Sequence, residues 1–451
     1  MEHKVLKRYP LGNKRFIWKQ KKFALSTFSL CAHGTVIDQD HVPEIVDRSV
    51  KHLKEAGFNM GELGWVGHES AWEAVEACEK YGLDLIFQDM SILGGMQHHH
   101  IERKVPYEVV EDVVNRLKDK KHTIGYYVWD EPNTDEQMVE ARRQMDMLQK
   151  AAPEALHFTV GLPDYNSSNM EKAHAWENGK YEPYVRKFAE KLDPPVLSFD
   201  YYPVGDYFGV WPGHKFNSEN QLDDTFMWLD MALYRQVAKE KDIPFWFYYQ
   251  GGPLYKCTRE QGIFTFPMVR TFMYGAILYG AKGLQHYTAW DNAVIDKDGY
   301  KSNFFEDQKQ IHSEIVAMED TLLALDSKLI IHSDDLLPGC EYTLPYFNKL
   351  NESEIFGGTL PNRCSIGELE DAYGNRYAVI LNRDYEKDLE ASLELKDNFR
   401  IYEVSKANGK QNVIADSTKE LKVNLKPGDA IICRIQKASE EAFTCEYKLS
   451  E

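Results

Sequence analysis

From about residue 20 to about residue 325, short apolar runs alternate with stretches in which apolar residues recur three or four apart. The runs cover 23–30, 57–65, 83–90, 123–132, 156–164, 195–204, 244–252 and 282–290. Each is short and largely apolar, as expected of a strand in a parallel α/β architecture. The stretches between them, such as 43–57, 69–82 and 106–120, have helical spacing and close near a Gly or Lys. Eight strand-then-helix units over roughly 300 residues fit the length and order of a TIM (β/α)8 barrel. A doubly wound sheet would want a Gly-rich phosphate loop after an early strand, and none is present. Beyond about residue 340 the period changes to two. Segments 377–383, 389–395, 399–405 and 421–435 alternate apolar and polar residues around AYGN and KPGD turns, which predicts a C-terminal antiparallel β-sandwich. The expected division is 1–335 for the barrel with an N-terminal extension and 336–451 for the sandwich.

Length agrees with that division, since 451 residues exceed what one ordinary core holds. The 26 Tyr, 22 Phe and 9 Trp supply flat apolar faces of the kind on which sugar C–H groups stack. With 53 basic against 71 acidic residues there is no basic stripe for a nucleic acid, and no apolar run is long enough for a membrane span. The seven Cys are scattered without paired spacing, which argues against a disulfide framework or structural zinc. The basic N-terminus lacks the apolar core of a secretory leader, so the expected compartment is the cytoplasm.

In a barrel of this type the working residues sit at the C-terminal ends of the strands. The fourth run ends Trp129-Asp130-Glu131-Pro132-Asn133. Two acids closing an apolar strand place carboxyls at the barrel mouth. Because neighbours on a strand point opposite ways, one of them should aim at a ligand. Trp129 and Pro132 beside it would desolvate a carboxyl and raise its pKa towards the range of a general acid. Helix capping alone does not call for two acids.

WDEPN after a strand resembles the acid/base motif of clan A glycoside hydrolases. SFDYYP (198–203), PFWFYYQ (244–250) and YGAKGLQHYTAW (279–290) are similar to the sixth, seventh and eighth strand motifs of family 42 β-galactosidases. The resemblance implies a glycosidase with Glu131 as general acid, acting on the terminal sugar of a small oligosaccharide or glycoside and needing no cofactor. It also exposes a departure, because Tyr249 stands where that family has its nucleophilic Glu, with Gln250 following. Three readings remain open. In the first, a 2-acetamido group of the sugar attacks, Asp130 orients it, and Tyr248 or Tyr249 holds the amide oxygen; adjacent Asp-Glu resembles several hexosaminidase families. In the second, Asp200 on strand six is the other carboxyl of a two-carboxylate mechanism. In the third, the barrel has lost hydrolytic activity and is a carbohydrate-binding protein or a non-hydrolytic lyase.

Other strand-end residues complete the expected pocket: Glu62 and Trp65, Gln88 and Asp89, Asn166, Tyr201, His286 and Trp290, the last as a platform for a sugar face. Three successive His at 98–100 cannot converge on one ion from a regular strand or helix, so they are expected at the rim of the site. Asp291-Asn292 with 296–299 lacks the spacing and closing Glu of a calcium loop and reads as a turn.

Overall fold

The structure, a computed structural model, describes residues 1–33, 36–64, 66–89, 91–93, 95–96, 104–163, 181–204, 225–253, 264–336 and 347–450. After an N-terminal strand β1 (Glu2–Arg8), eight strand-then-helix units follow in order. They are β2 (Ala24–Thr27) with α1 (Val42–Glu55), β3 (Met60–Glu62) with α2 (His68–Tyr81), and β4 (Asp84–Phe87) with α3 (Tyr107–Leu117), the last pair separated by a two-residue strand β5 (Gly95–Met96). Next come β6 (Thr123–Asp130) with α4 (Asp135–Ala151), β7 (Leu156–Val160) with α5 (Tyr181–Leu192), and β8 (Leu197–Tyr201) with α6 (Thr225–Lys241). The series ends with β9 (Phe245–Gln250) and α7 (Phe266–Leu278), then β10 (Gly283–Tyr287) and α8 (Phe305–Ala324). All pairings among these strands are parallel, in the orders β2-β10-β9-β8 and β3-β4-β6-β7.

Main-chain hydrogen bonds also cross both seams between the two sheets. Asn59 N–H donates to Leu25 C=O (3.0 Å) and Leu30 N–H to Glu62 C=O (3.1 Å), while Gly161 N–H donates to Ser198 C=O (2.9 Å). The side chains divide accordingly. Ala24, Phe28, Met60, Ile86, Tyr127, Phe158, Val196, Trp246 and Tyr248 form one cluster with no helical member, which is the lumen. Leu25, Leu85, Phe87, Val128, Phe199, Phe247 and Leu284 join the helices in the outer core. The N-terminal extension closes the lumen floor, where Trp246 Nε1–H donates to Gln20 Oε1 (2.9 Å) and Trp18 meets the Trp246 ring edge-on.

The rest of the chain builds one six-stranded antiparallel sheet, ordered β11-β12-β13-β16-β14-β15. Its strands are β11 (Leu325–His332), β12 (Cys364–Asp371), β13 (Arg376–Asn382), β14 (Leu389–Val404), β15 (Gln411–Leu425) and β16 (Ala430–Lys437). The sheet thus begins at Leu325, directly after α8. Register breaks between Glu394 and Phe399 mark the middle of the long β14, and Leu389, Leu393, Leu421 and Val423 pack with Ile366, Ala378, Ile380 and Cys433 in a second core. Alternate residues Tyr377, Val379 and Leu381 point the other way and join the barrel's outer core. A final strand, β17 (Phe443–Leu449), pairs in parallel with β1 and so ties the two ends of the chain together.

The docking of sheet on barrel is close enough to demand glycine at one point. A Cβ at Gly367 on β12 would lie 2.3 Å from the Leu278 carbonyl oxygen at the end of α7. Gly367→Leu should therefore lower stability by about 1–3 kcal/mol, measured as a shift in the denaturation midpoint. Gly374→Ala, whose Cβ would meet nothing within 4 Å, carries only the cost of its left-handed backbone, about 1 kcal/mol, and is the control.

Candidate active site

Strand β6 carries a register break between Tyr127 and Trp129. Tyr127 lies in the lumen cluster, whereas Val128 and Trp129 both lie in the outer core. Two successive outward residues reset the alternation, so Asp130 faces inward where an unbroken strand would have turned it out. Tyr127 Oη–H donates to Asp130 Oδ1 (2.9 Å), which confirms that both point into the lumen. The next residue, Glu131, has φ of 46°, a left-handed backbone that costs an acidic residue about 1 kcal/mol and tips its side chain back over the mouth. Helix α4 is capped by Thr134 and Gln137 in a reciprocal box, so neither acid is spent as a cap.

On β8, Phe199 stacks on Tyr234 of α6 (4.3 Å between centroids) and Tyr201 joins the same outer core, while Ser198 and Asp200 face the lumen. The Asp200 carboxyl comes within hydrogen-bonding reach of Glu131 and Tyr202. Burial pushes its pKa up to about 7; the Glu131 and Tyr202 hydrogen bonds oppose that rise and the neighbouring Asp130 charge adds to it. Its Oδ1 is buried without a hydrogen-bond partner among the described residues. Carboxyls from strands four and six of the barrel thus meet at its mouth. Among the described residues no group of three or more His, Cys, Asp or Glu is arranged to hold a metal.

The remaining expected residues divide. Glu62 is fully buried in the lumen and bonded to Ser26, Gln285 and Tyr248. Gln88 is 1 % exposed and neither atom of its amide has a partner among the described residues. Trp290 is at the edge of the outer core with His33 edge-on at 4.8 Å. Asp89 accepts from His68 Nδ1 (2.5 Å) and from the Ser91 N–H (3.1 Å), holding the start of its own loop.

Four of the expected pocket residues do not face the lumen or are already engaged. Tyr201 and Tyr249 belong to the outer core, and Tyr249 Oη accepts from Gln308 Nε2 of α8 (3.1 Å). His286 lies between Tyr249 and Phe58, where burial lowers its pKa to about 3. Strand period two explains all three, because in a sheet covered on both sides polarity does not reveal which way a side chain points. Gln250 spends its amide on the main chain, donating to Val204 C=O (2.7 Å) and accepting from Val204 N–H (2.8 Å). Trp65, Asn166 and the His98–His100 run lie outside the described residues. Asp296 Oδ1 accepts from the N–H groups of Asp298 (3.0 Å) and Tyr300 (2.8 Å), forming a turn.

The structure also brings in residues with no sequence signal of their own. Tyr127 supports Asp130, and Tyr202 stacks on Tyr287 with centroids 4.5 Å apart, joining the ends of β8 and β10. Ser198 stands two residues from Asp200 on β8, and that spacing could have found it, whereas Ser26 and Gln285 have no such marker on their strands.

No family model matches the chain, and no curated protein matches its sequence. Among solved structures the fold is similar to that of α-galactosidase I from Mortierella vinacea, at 8 % identity and TM-score 0.50 over 93 % of this chain and 98 % of that one. A provisionally named α-galactosidase from Bacteroides fragilis gives 11 % identity and TM-score 0.52 over 92 % of this chain and 79 % of that one. The chain therefore shares the overall fold of these two proteins. Among the described residues no helix is long and apolar enough to cross a membrane.

Gln250→Ala tests the division between support and binding. It should cost about 2–4 kcal/mol by leaving two buried Val204 groups unpaired, visible in chemical denaturation. A residue that only touched ligand would leave the midpoint where it was.

Proposed function

We propose that the chain is a glycoside hydrolase of the two-carboxylate kind, with the Glu131–Asp200 pair as proton donor and Asp130 as the ionised carboxylate. The observation that carries this reading is the meeting of Asp200 with the two strand-four acids in a buried mouth. Two carboxyls within hydrogen-bonding reach share one proton most favourably, so they titrate as a pair. Burial raises the Asp200 pKa to about 7, which places a proton-bearing carboxyl where a general acid works near neutrality. Asp130 accepts a hydrogen bond from Tyr127, which favours its charged form and fixes its direction. The pair would protonate the glycosidic oxygen as the bond to the anomeric carbon breaks. Asp130 would then attack that carbon or activate a water against it, according to the carboxyl separation in the substrate complex.

The substrate-assisted reading is less well supported. It asks a tyrosine to hold the acetamido oxygen, but Tyr248 is bonded to Glu62 and Tyr249 faces the helices. The substrate class would be a small glycoside, with Gln88 offering both a donor and an acceptor to sugar hydroxyls. The proposed location is the cytoplasm, where short imported oligosaccharides are the accessible glycans.

Nitrophenyl glycosides, plain and 2-acetamido, provide the test, beginning with the α-galactoside named for both fold neighbours. Cleavage should fall as pH rises through about 7, because the donor must be protonated. Asp200→Asn and Glu131→Gln should each lower kcat/KM by about 10²–10⁴-fold. Full turnover in both variants would overturn the assignment, and cleavage of acetamido sugars alone would return the mechanism to substrate assistance. Binding without turnover across the panel would make the chain a carbohydrate-binding barrel.

A further inference from the structure

Beneath the three mouth acids lies a fourth carboxyl that the proposed chemistry does not use. Glu62, at the end of β3, is fully buried, whereas Asp130, Glu131 and Asp200 are 6–8 % exposed. Its partners come from three other strands. Ser26 Oγ–H (β2) and Gln285 Nε2–H (β10) each donate to Oε1 at 2.7 Å, and the Tyr248 hydroxyl (β9) meets Oε2. Gln285 in turn accepts from Ser198 Oγ–H of β8 (2.7 Å). A continuous polar girdle therefore crosses the lumen from β8 through β10 to β3, β2 and β9. The other groups facing Glu62 are Tyr127 and Asp130 of β6, and Asp200 acts on the same tyrosine from β8. On the β4 side its register partner is the apolar Ile86. No Lys or Arg among the described residues pairs with Glu62 or with Asp200.

A buried carboxylate with only neutral donors, facing another carboxylate across a dry lumen, is costly when charged. Protonated, the same group keeps its three contacts without carrying a charge. Oε1 still accepts from Ser26 and Gln285, and Oε2–H donates to the Tyr248 oxygen. We propose that Glu62 is a positioning residue that stays protonated at neutral pH, fixing Tyr248 and Gln285 without adding a charge beneath Asp130. This inference rests on the two-carboxylate reading for its purpose: a neutral Glu62 lets Asp130 carry the site's charge, whereas an ionised one would oppose it. Burial, which raises the Glu62 pKa to about 8 against the hydrogen bonds of Gln285 and Ser26, agrees with that state.

Linkage gives the test a direction. A carboxyl that holds its proton more tightly in the native than in the unfolded chain costs stability as pH rises from 4.5 towards about 8. Glu62→Gln keeps the shape and removes the proton. Its melting temperature should therefore gain on the wild type steadily from about pH 5 to about pH 8.5, as ionisation of Glu62 penalises the wild type alone. Infrared titration of the wild type should show a protonated-carboxyl C=O band that persists at pH 7 and disappears near pH 8. The double variant Glu131→Gln/Asp200→Asn should retain that band, which identifies it even if the Glu62 variant does not fold. A pH-independent difference in melting temperature, or a band gone by about pH 5, would overturn the proposal. Neither measurement involves turnover, so a failure to cleave glycosides would count against the enzymatic reading and leave these results standing.

Discussion

The cost of a charge in a dry lumen governs the arrangement of this molecule. Glu62, Asp130, Glu131 and Asp200 all lie at or below the barrel mouth, and Glu62 and Asp200 have no cation beside them among the described residues. Such a cluster is tolerable only if protons and hydroxyl groups take the place of counter-ions. The hydroxyls are there: Tyr127 on Asp130, Tyr202 within reach of Asp200, Tyr248 and Ser26 on Glu62. The protons follow from the raised pKa values of Asp200 and Glu62. Acids kept beside one another and made to share protons are suited to moving a proton.

The residues behind the mouth support this arrangement by fixing strand ends rather than by touching it. Tyr184 of α5 donates its hydroxyl to Pro132 C=O (3.1 Å) and accepts from the Leu162 N–H (2.8 Å), bridging the ends of β6 and β7. Thr159 Oγ1–H donates to Trp129 C=O (2.8 Å) across the bulge, which satisfies a carbonyl near the broken ladder. Gln250 does the same for the turn after β8. Each contact holds a carboxyl-bearing strand end against the pull of its neighbours, and the left-handed backbone at Glu131 persists because Pro132 and Thr134 are anchored on its far side.

The eight strand-helix units and the acids at the end of strand four were legible because buried parallel strands announce themselves as apolar runs closed by polar residues. Direction was not legible. Within FWFYYQ every residue is compatible with either face, so Tyr248 in the lumen and Tyr249 against α8 look alike in sequence. The bulge at Val128 was also invisible, and it decides which of Trp129 and Asp130 faces the lumen. Strict alternation from Tyr127 would have placed Trp129 inward. The meeting of Asp200 with Glu131 depends on lateral register between strands four and six, which no local pattern encodes. The family 42 resemblance rested on short strand-end motifs and directed attention to a missing strand-seven Glu. The structure offers a second carboxyl from strand six instead.

The C-terminal sheet is bound into this design more firmly than an appended domain would be. Helix α7 buries Phe266, Met268, Val269, Phe272, Met273, Tyr274, Ile277 and Leu278, apolar residues on every side of the helix. A helix of that kind needs cover on both faces. The barrel strands cover one, and β12 and β13 cover the other through Gly367, Val379 and Leu381. Its one charged residue, Arg270, pairs with Glu314 of α8 (3.0 Å) and with Asp429 in the turn before β16 (2.6 Å), so even its polar contact crosses between barrel and sheet. Because α7 is the next described helix after β9, which carries Tyr248 and Gln250 and pairs with the Asp200 strand, the sheet braces the barrel beside the seventh strand.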